Sequence, residues 1–162
     1  MSTSQIQKLF AYNGWAWDHL FASVEKLDAA AYHLDRPFFW GSIHGLLVHS
    51  LTAEWIWYTR CQGESPTGLL NPADYADFAA VRAAWQPVRD NWFSYVNSLT
   101  DESLTQTISY SNTRGDRYSL VLADLLQHVM NHATEHRSQL TPVLYNLGFP
   151  TPALDYMAFC LR

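Results

Sequence analysis

Four long stretches of this chain repeat apolar side chains every three or four residues, a spacing that only packed amphipathic helices can use. The first runs from Ser4 to Leu27 through Ile6, Phe10, Trp17, Leu20 and Val24, with Asn13 the one polar member of the stripe. A connector with Pro37 and the aromatic cluster Phe38, Phe39 and Trp40 follows. Ser42 is a good N-cap for the second helix, which passes Leu46, His49, Ala53, Ile56 and Trp57 and stops at Gly63. Glu64 to Asn71 reads as loop. The third helix carries Phe78, Val81, Trp85, Val88, Trp92, Tyr95 and Leu99, and Pro87 inside it predicts a kink or break. Thr105 to Tyr110 is β-prone and Asn112 to Asp116 turn-like. The fourth helix is expected from about Ser119 to Leu147, closed by Gly148 and Pro150, and a short one from Ala153 to Leu161. The expectation is an all-α fold, a four-helix bundle with a short extra C-terminal helix.

The length of 162 residues suits one domain over 1–162. Hydrophobic residues make up 48% and charged residues 15%, which argues for a packed core and against disorder. The net charge of -5, with ten scattered Lys and Arg, argues against a nucleic-acid partner. No apolar run approaches the roughly 20 residues that span a membrane, and Met1 to Leu9 lacks the pattern of a signal peptide. Two separated cysteines, Cys61 and Cys160, fit a reducing compartment. The expected location is cytoplasmic.

Seven histidines remain to be explained. His128, His132 and His136 are spaced by four on one helix, so neighbours lie one above the other. At the helical rise His128 and His136 are about 12 Å apart, so one ion can use only one adjacent pair. With about 100° per residue, His132 and His136 fall in or beside the stripe of Leu125, Val129, Leu140, Val143 and Leu147, whereas His128 lies further out. On the second helix His49 shares the stripe of Leu46, Ala53, Ile56 and Trp57, while His44 points away from it. His19 and His33 have no helical companion and read as surface or packing residues. Imidazoles facing a core need a partner. From spacing alone, a metal ion and ordinary hydrogen bonds remain equal alternatives.

Two metal patterns are excluded by sequence. His-Glu-x-x-His needs Glu where Ala133 stands, and Glu135 comes too late. A di-iron bundle needs glutamates on the inner stripes, and none is expected there.

Several separated segments resemble the DinB family of metalloenzymes. They are Tyr12-Asn13-Gly14-Trp15-Ala16, Gly41-Ser42-Ile43-His44-Gly45 leading to His49, Ala53-Glu54-Trp55-Ile56-Trp57, and the run from His128 to Gln139. The tail from Leu147-Gly148 through Asp155 to Arg162 is similar too. The resemblance implies a four-helix bundle holding one divalent metal ion, commonly zinc or nickel, and maps its ligands onto His49, His132 and His136. It departs at Glu135, where the family often has His, and at Ser138, where it often has Gly.

Some members of that family transfer or depend on a low-molecular-weight thiol, so the resemblance implies a metal-dependent thiol S-transferase acting on a small-molecule substrate. A coordinated thiol is held as thiolate, the form that attacks an electrophile. Tyr12, Asn13, Asn131, Glu135 and Gln139 are candidates for the pocket or for partners of the ligating rings. No catalytic residue beyond the ligands is assigned. Metal-assisted hydrolysis is an alternative, with Glu135 or Glu54 as the acid or base, although both lie off the inner stripe. A non-catalytic metal-binding or ligand-sensing protein is the third reading. Arg114, Arg117 and Arg137 could meet an anionic cofactor. A homodimer burying Trp40 or Trp92 is compatible with each reading.

Overall fold

The fold was taken from a computed structural model that describes residues 1–37 and 40–162. Phe38 and Phe39 of the expected aromatic cluster lie outside the described residues.

Helix α1 (Thr3–Val24) starts at a capping box, in which the Ser2 hydroxyl accepts from Gln5 N and the Gln5 side chain accepts from Ser2 N. It ends three residues earlier than its apolar spacing suggests. Asp28 caps a separate helix, α2 (Ala29–His33), by accepting from Ala31 N at 2.7 Å, so the chain must turn before it. That short helix was read from sequence as connector.

Helix α3 (Ile43–Cys61) begins at the Ser42 cap, as expected. Gly45 in its first turn is required by close packing. A Cβ there would collide with the carbonyl oxygen of Trp40, so only glycine lets the connector fold down onto the helix.

Helix α4 (Phe78–Ser98) is capped by Asp77 and runs through Pro87 without the break that a proline there allows. Proline removes one helical hydrogen bond. Burial of Val81, Trp85, Val88, Trp92 and Val96 along one face holds both halves to the same core.

An antiparallel hairpin follows, β1 (Thr107–Ser111) with β2 (Arg117–Val121), in register Ile108 to Leu120 and Tyr110 to Tyr118. The Asn112 side chain organises its turn by accepting from Arg114 N and Asp116 N. Residues 119–121, expected to open the fourth helix, belong to β2. Leu122 N donates to Gln106 O at 2.8 Å, continuing the hairpin pairing up to the first residue of helix α5 (Leu122–Asn146). α5 also passes a proline, Pro142, and is followed by Gly148 in the left-handed region (φ 83°). Helix α6 (Tyr156–Cys160) is shorter than expected because Asp155 caps it, accepting from Ala158 N.

The result is an all-α bundle with one small hairpin. α1 packs against α4 and α5, and α3 packs against the same two helices, so α1 and α3 stand on opposite corners. α3 is therefore covered on two sides, and buried positions run around most of its circumference, including Ile43, Leu46, Leu47, Ser50, Leu51 and Glu54. No helix among the described residues is long and apolar enough to cross a membrane.

Candidate metal centre

His49 from the middle of α3 meets His132 and His136 from the middle of α5, where those two helices pack. The three ligand nitrogens lie within 4.8 Å of one another. His132 Nε2 is 3.3 Å from His49 Nε2 and 3.1 Å from His136 Nε2. Nitrogens bound to one tetrahedral ion at about 2.0–2.1 Å stand roughly 3.3–3.4 Å apart. The spacing already present fits a shared ion.

The protons do not fit as well without one. Gln139 Oε1 accepts from His136 Nδ1 at 2.9 Å, which leaves the His136 Nε2 lone pair facing the cluster. His132 Nε2–H can donate to that lone pair. His49 then either points a second N–H at the first, or keeps its proton on Nδ1, which is buried without a hydrogen-bond partner. A buried N–H left unpaired costs about 1–3 kcal/mol. A cation between three Nε2 lone pairs would remove the clash of two N–H groups at the centre of the cluster, with the His49 proton on Nδ1 and still unpaired there.

Electrostatics favour the neutral rings that metal ligation requires. Burial, then His136 and His132, lowers His49 from its ordinary 6.5 to about 3. Burial, then His136 and His128, lowers His132 to about 4. His128 is also pushed down, by burial and then by Arg60. It is exposed, stands edge-on to Trp57 and lies beside the cluster.

Two further side chains hold the rings in place. Gln139, one of the sequence candidates, fixes His136 as described. Trp40, which sequence reasoning assigned only to a connector or an interface, stacks flat on His49 with centroids 3.7 Å apart and planes 14° apart. With no partner on its Nδ1, His49 is oriented by this stack, and Gly45 permits it. A glycine in the first turn of a capped helix was the available signal.

The other candidates lie elsewhere. Tyr12 Oη donates to Leu154 O at 2.7 Å and ties α1 to the tail. Asn131 is exposed and accepts from Gln127, and Glu135 is exposed. Asn13 is buried in a different polar cluster, centred on Glu54. Asn13 Nδ2 and Trp17 Nε1 donate to Glu54 Oε1 at 3.0 and 3.2 Å, and Trp85 Nε1 donates to Oε2 at 2.7 Å. Trp92 Nε1 donates to the Glu54 carbonyl at 3.0 Å. Arg137 Nη1 donates to Asn13 Oδ1, and Nη2 to Thr134.

Four sequence expectations are corrected or sharpened by this arrangement. Glu54 is buried inside the bundle, not off its inner face, because α3 is covered on two sides. His49, expected on the core-facing stripe, is half-buried at the seam between α3 and α5. Trp92 is a core residue held by Glu54, so it is no exposed interface ring. Arg137 is 3% exposed and held by Asn13 and Thr134, so it is not free to meet an anionic cofactor. Arg114 and Arg117 sit exposed on the hairpin. His44, set aside from the ligands, contacts Tyr32 Oη and Pro72 O, and His19 stands edge-on to Trp15.

A helical bundle with three converging histidines able to hold a metal ion defines the class. A family model described as the DinB family matches residues 1–161, and the chain belongs to that family. It is similar to Protein DinB of Bacillus subtilis (strain 168), with 25% identity over 154 residues that cover 92% of this chain and 90% of that protein.

Proposed function

We propose that His49, His132 and His136 hold one divalent ion, zinc or nickel, and that the protein is a metal-dependent transferase passing a low-molecular-weight thiol to an electrophilic small molecule. The convergence of three imidazoles, with His136 Nδ1 engaged by Gln139, carries this reading. When bound, the ion supplies the Lewis acidity that keeps a thiol as its anion at neutral pH. Three protein ligands leave a position for such a molecule.

The chain's own residues supply alignment. Gln139 and the Trp40 stack set the planes of two rings, so the lone pairs converge without rotating. In the transfer, sulfur forms a bond to the electrophilic carbon, the leaving group departs with the bonding pair, and the thiol proton goes to solvent. A hydrolase would want a carboxylate beside the cluster as general base. Glu54 has both oxygens occupied by Asn13, Trp17 and Trp85, and Glu135 is exposed, which favours transfer over hydrolysis.

The test is the reaction of cysteine or N-acetylcysteine with 1-chloro-2,4-dinitrobenzene, followed by absorbance. Zinc- or nickel-loaded protein should accelerate it, and His132→Ala or metal removal by chelation should abolish the acceleration. A rate indifferent to metal in the loaded wild type would reject transferase activity on these thiols and turn attention to a protein that binds metal without turnover.

A further inference from the structure

His136 and Arg137 are neighbours on α5 that serve different helices. Successive residues are turned by about 100°, so the ring that joins the cluster with His49 and the guanidinium beside it leave α5 on different sides. Arg137 is 3% exposed and reaches α1, where Nη1 donates to Asn13 Oδ1. Its guanidinium lies 5.5 and 5.4 Å from the ring centroids of Tyr12 and Trp17. Nη2 donates at 2.9 Å to Thr134, which stands between the two histidine positions of α5. The guanidinium is thereby tied back to its own helix, and it moves as α5 moves.

Asn13 carries the link onward. Its Nδ2 donates at 3.0 Å to Glu54 Oε1, on α3 five residues beyond His49. Trp17 Nε1 donates to the same oxygen at 3.2 Å, so α1 holds Glu54 by two side chains one turn apart. The Asn13 amide fits only one way round. Turned over, its NH2 would face the guanidinium and its oxygen the carboxylate. Both of its bonds have a charged partner, which makes them the stronger kind. The path from Arg137 through Asn13 to Glu54 is a buried strut between the two helices that carry the histidines.

A metal centre needs such a strut more than the core does. Apolar burial is non-directional, so by itself it permits small slides of α5 along α3. Ligand distances have to hold within about 0.2 Å. The seam at the cluster is packed from one side, with His49 and His132 both partly exposed. Even so, His132 Nε2 stands 3.1 and 3.3 Å from its two partners.

We propose that Asn13 is a positioning residue of the metal centre: with Arg137 and Glu54 it fixes α5 on α3, so that His132 and His136 meet His49 at the spacing one ion needs. The proposal rests on the metal reading given above and extends it to a residue hydrogen-bonded to none of the three histidines.

The experiment measures zinc affinity of the full chain by competition with a chelating dye, in variants first shown by circular dichroism to be folded. Asn13→Ala and Arg137→Met each cut the strut. Val96→Ala is the control, at a core position of α4 outside it. Asn13→Ala and Arg137→Met should each weaken zinc binding about tenfold, the lower end of what partners bonded directly to ligands contribute. The double variant should be weaker than either single one by no more than about twofold, because a strut cut at one end is already cut. Val96→Ala should lower Tm and leave zinc affinity within about twofold of wild type. Should Asn13→Ala not fold, Arg137→Met still decides the matter, since methionine fills the space of the arginine stem without its donors. Folded strut variants that bind zinc as the wild type does, additive losses, or an equal loss in Val96→Ala would overturn the proposal. A wild type that binds no zinc would overturn the metal reading itself, and this proposal with it.

Discussion

Glu54 gathers N–H donors from Asn13, Trp17 and Trp85 until both of its oxygens are occupied, while His49, His132 and His136 face one another with one buried ring nitrogen left over. Both clusters involve α3, and both put polar atoms inside an apolar bundle. The first is completed by the protein's own hydrogen bonds and ties α1, α3, α4 and α5 together. In the second, three Nε2 atoms face one another at the spacing that suits a shared cation.

The largest effect should come from breaking the completed cluster. Glu54→Ala strands three buried N–H donors and should destabilise the protein by about 3–5 kcal/mol, read from urea unfolding. A loss under about 1 kcal/mol would mean that the cluster is not holding the helices together. His132→Ala removes a half-buried ring from a crowded site and should cost the metal-free protein far less.

Metal sharpens the contrast from the other side. Zinc or nickel at a thousand times its dissociation constant should stabilise the wild type by about 4 kcal/mol, seen as a rise in Tm, and should leave His132→Ala unchanged. Gln139→Leu should weaken metal binding about 10–100-fold by freeing the His136 ring, measured by competition with a chelating dye. An unchanged affinity would show that the Gln139 bond plays no part in aligning the site.

The pH dependence of the metal-free protein tests the histidine cluster by itself. His49 and His132 titrate below 6.5 in the fold, at about 3 and about 4, so below 6.5 the unfolded chain binds more protons than the folded one. Their contribution is fully present above 6.5 and is lost progressively as pH falls through about 4 and about 3. A Tm that fell between pH 7 and 4 in His49→Ala/His132→Ala as steeply as in wild type would locate that dependence elsewhere.

Where one face of a helix is buried, sequence spacing was enough. The stripes of α1 and α4, the Ser42 cap and the pairing of His132 with His136 could be read directly. Glu54 could not, because a wheel with one inner face fails for a helix covered on two. Three tryptophans at core positions, Trp17, Trp85 and Trp92, each need an acceptor for the indole N–H, and that requirement was the overlooked signal. The meeting of His49 with the α5 pair depends on how α3 packs on α5, which spacing cannot set and the family resemblance anticipated. Trp40 over His49 depends on a connector fold that Gly45 permits, a contact made across the chain's local geometry and invisible to periodicity.

The central claim is the ion itself, and elemental analysis of the untagged protein tests it most directly. Wild type should carry about one divalent ion per chain, and His49→Ala and His132→Ala should carry none while keeping their helical circular dichroism. A wild type without metal even after incubation with zinc or nickel, or variants that retain a full complement, would contradict the account.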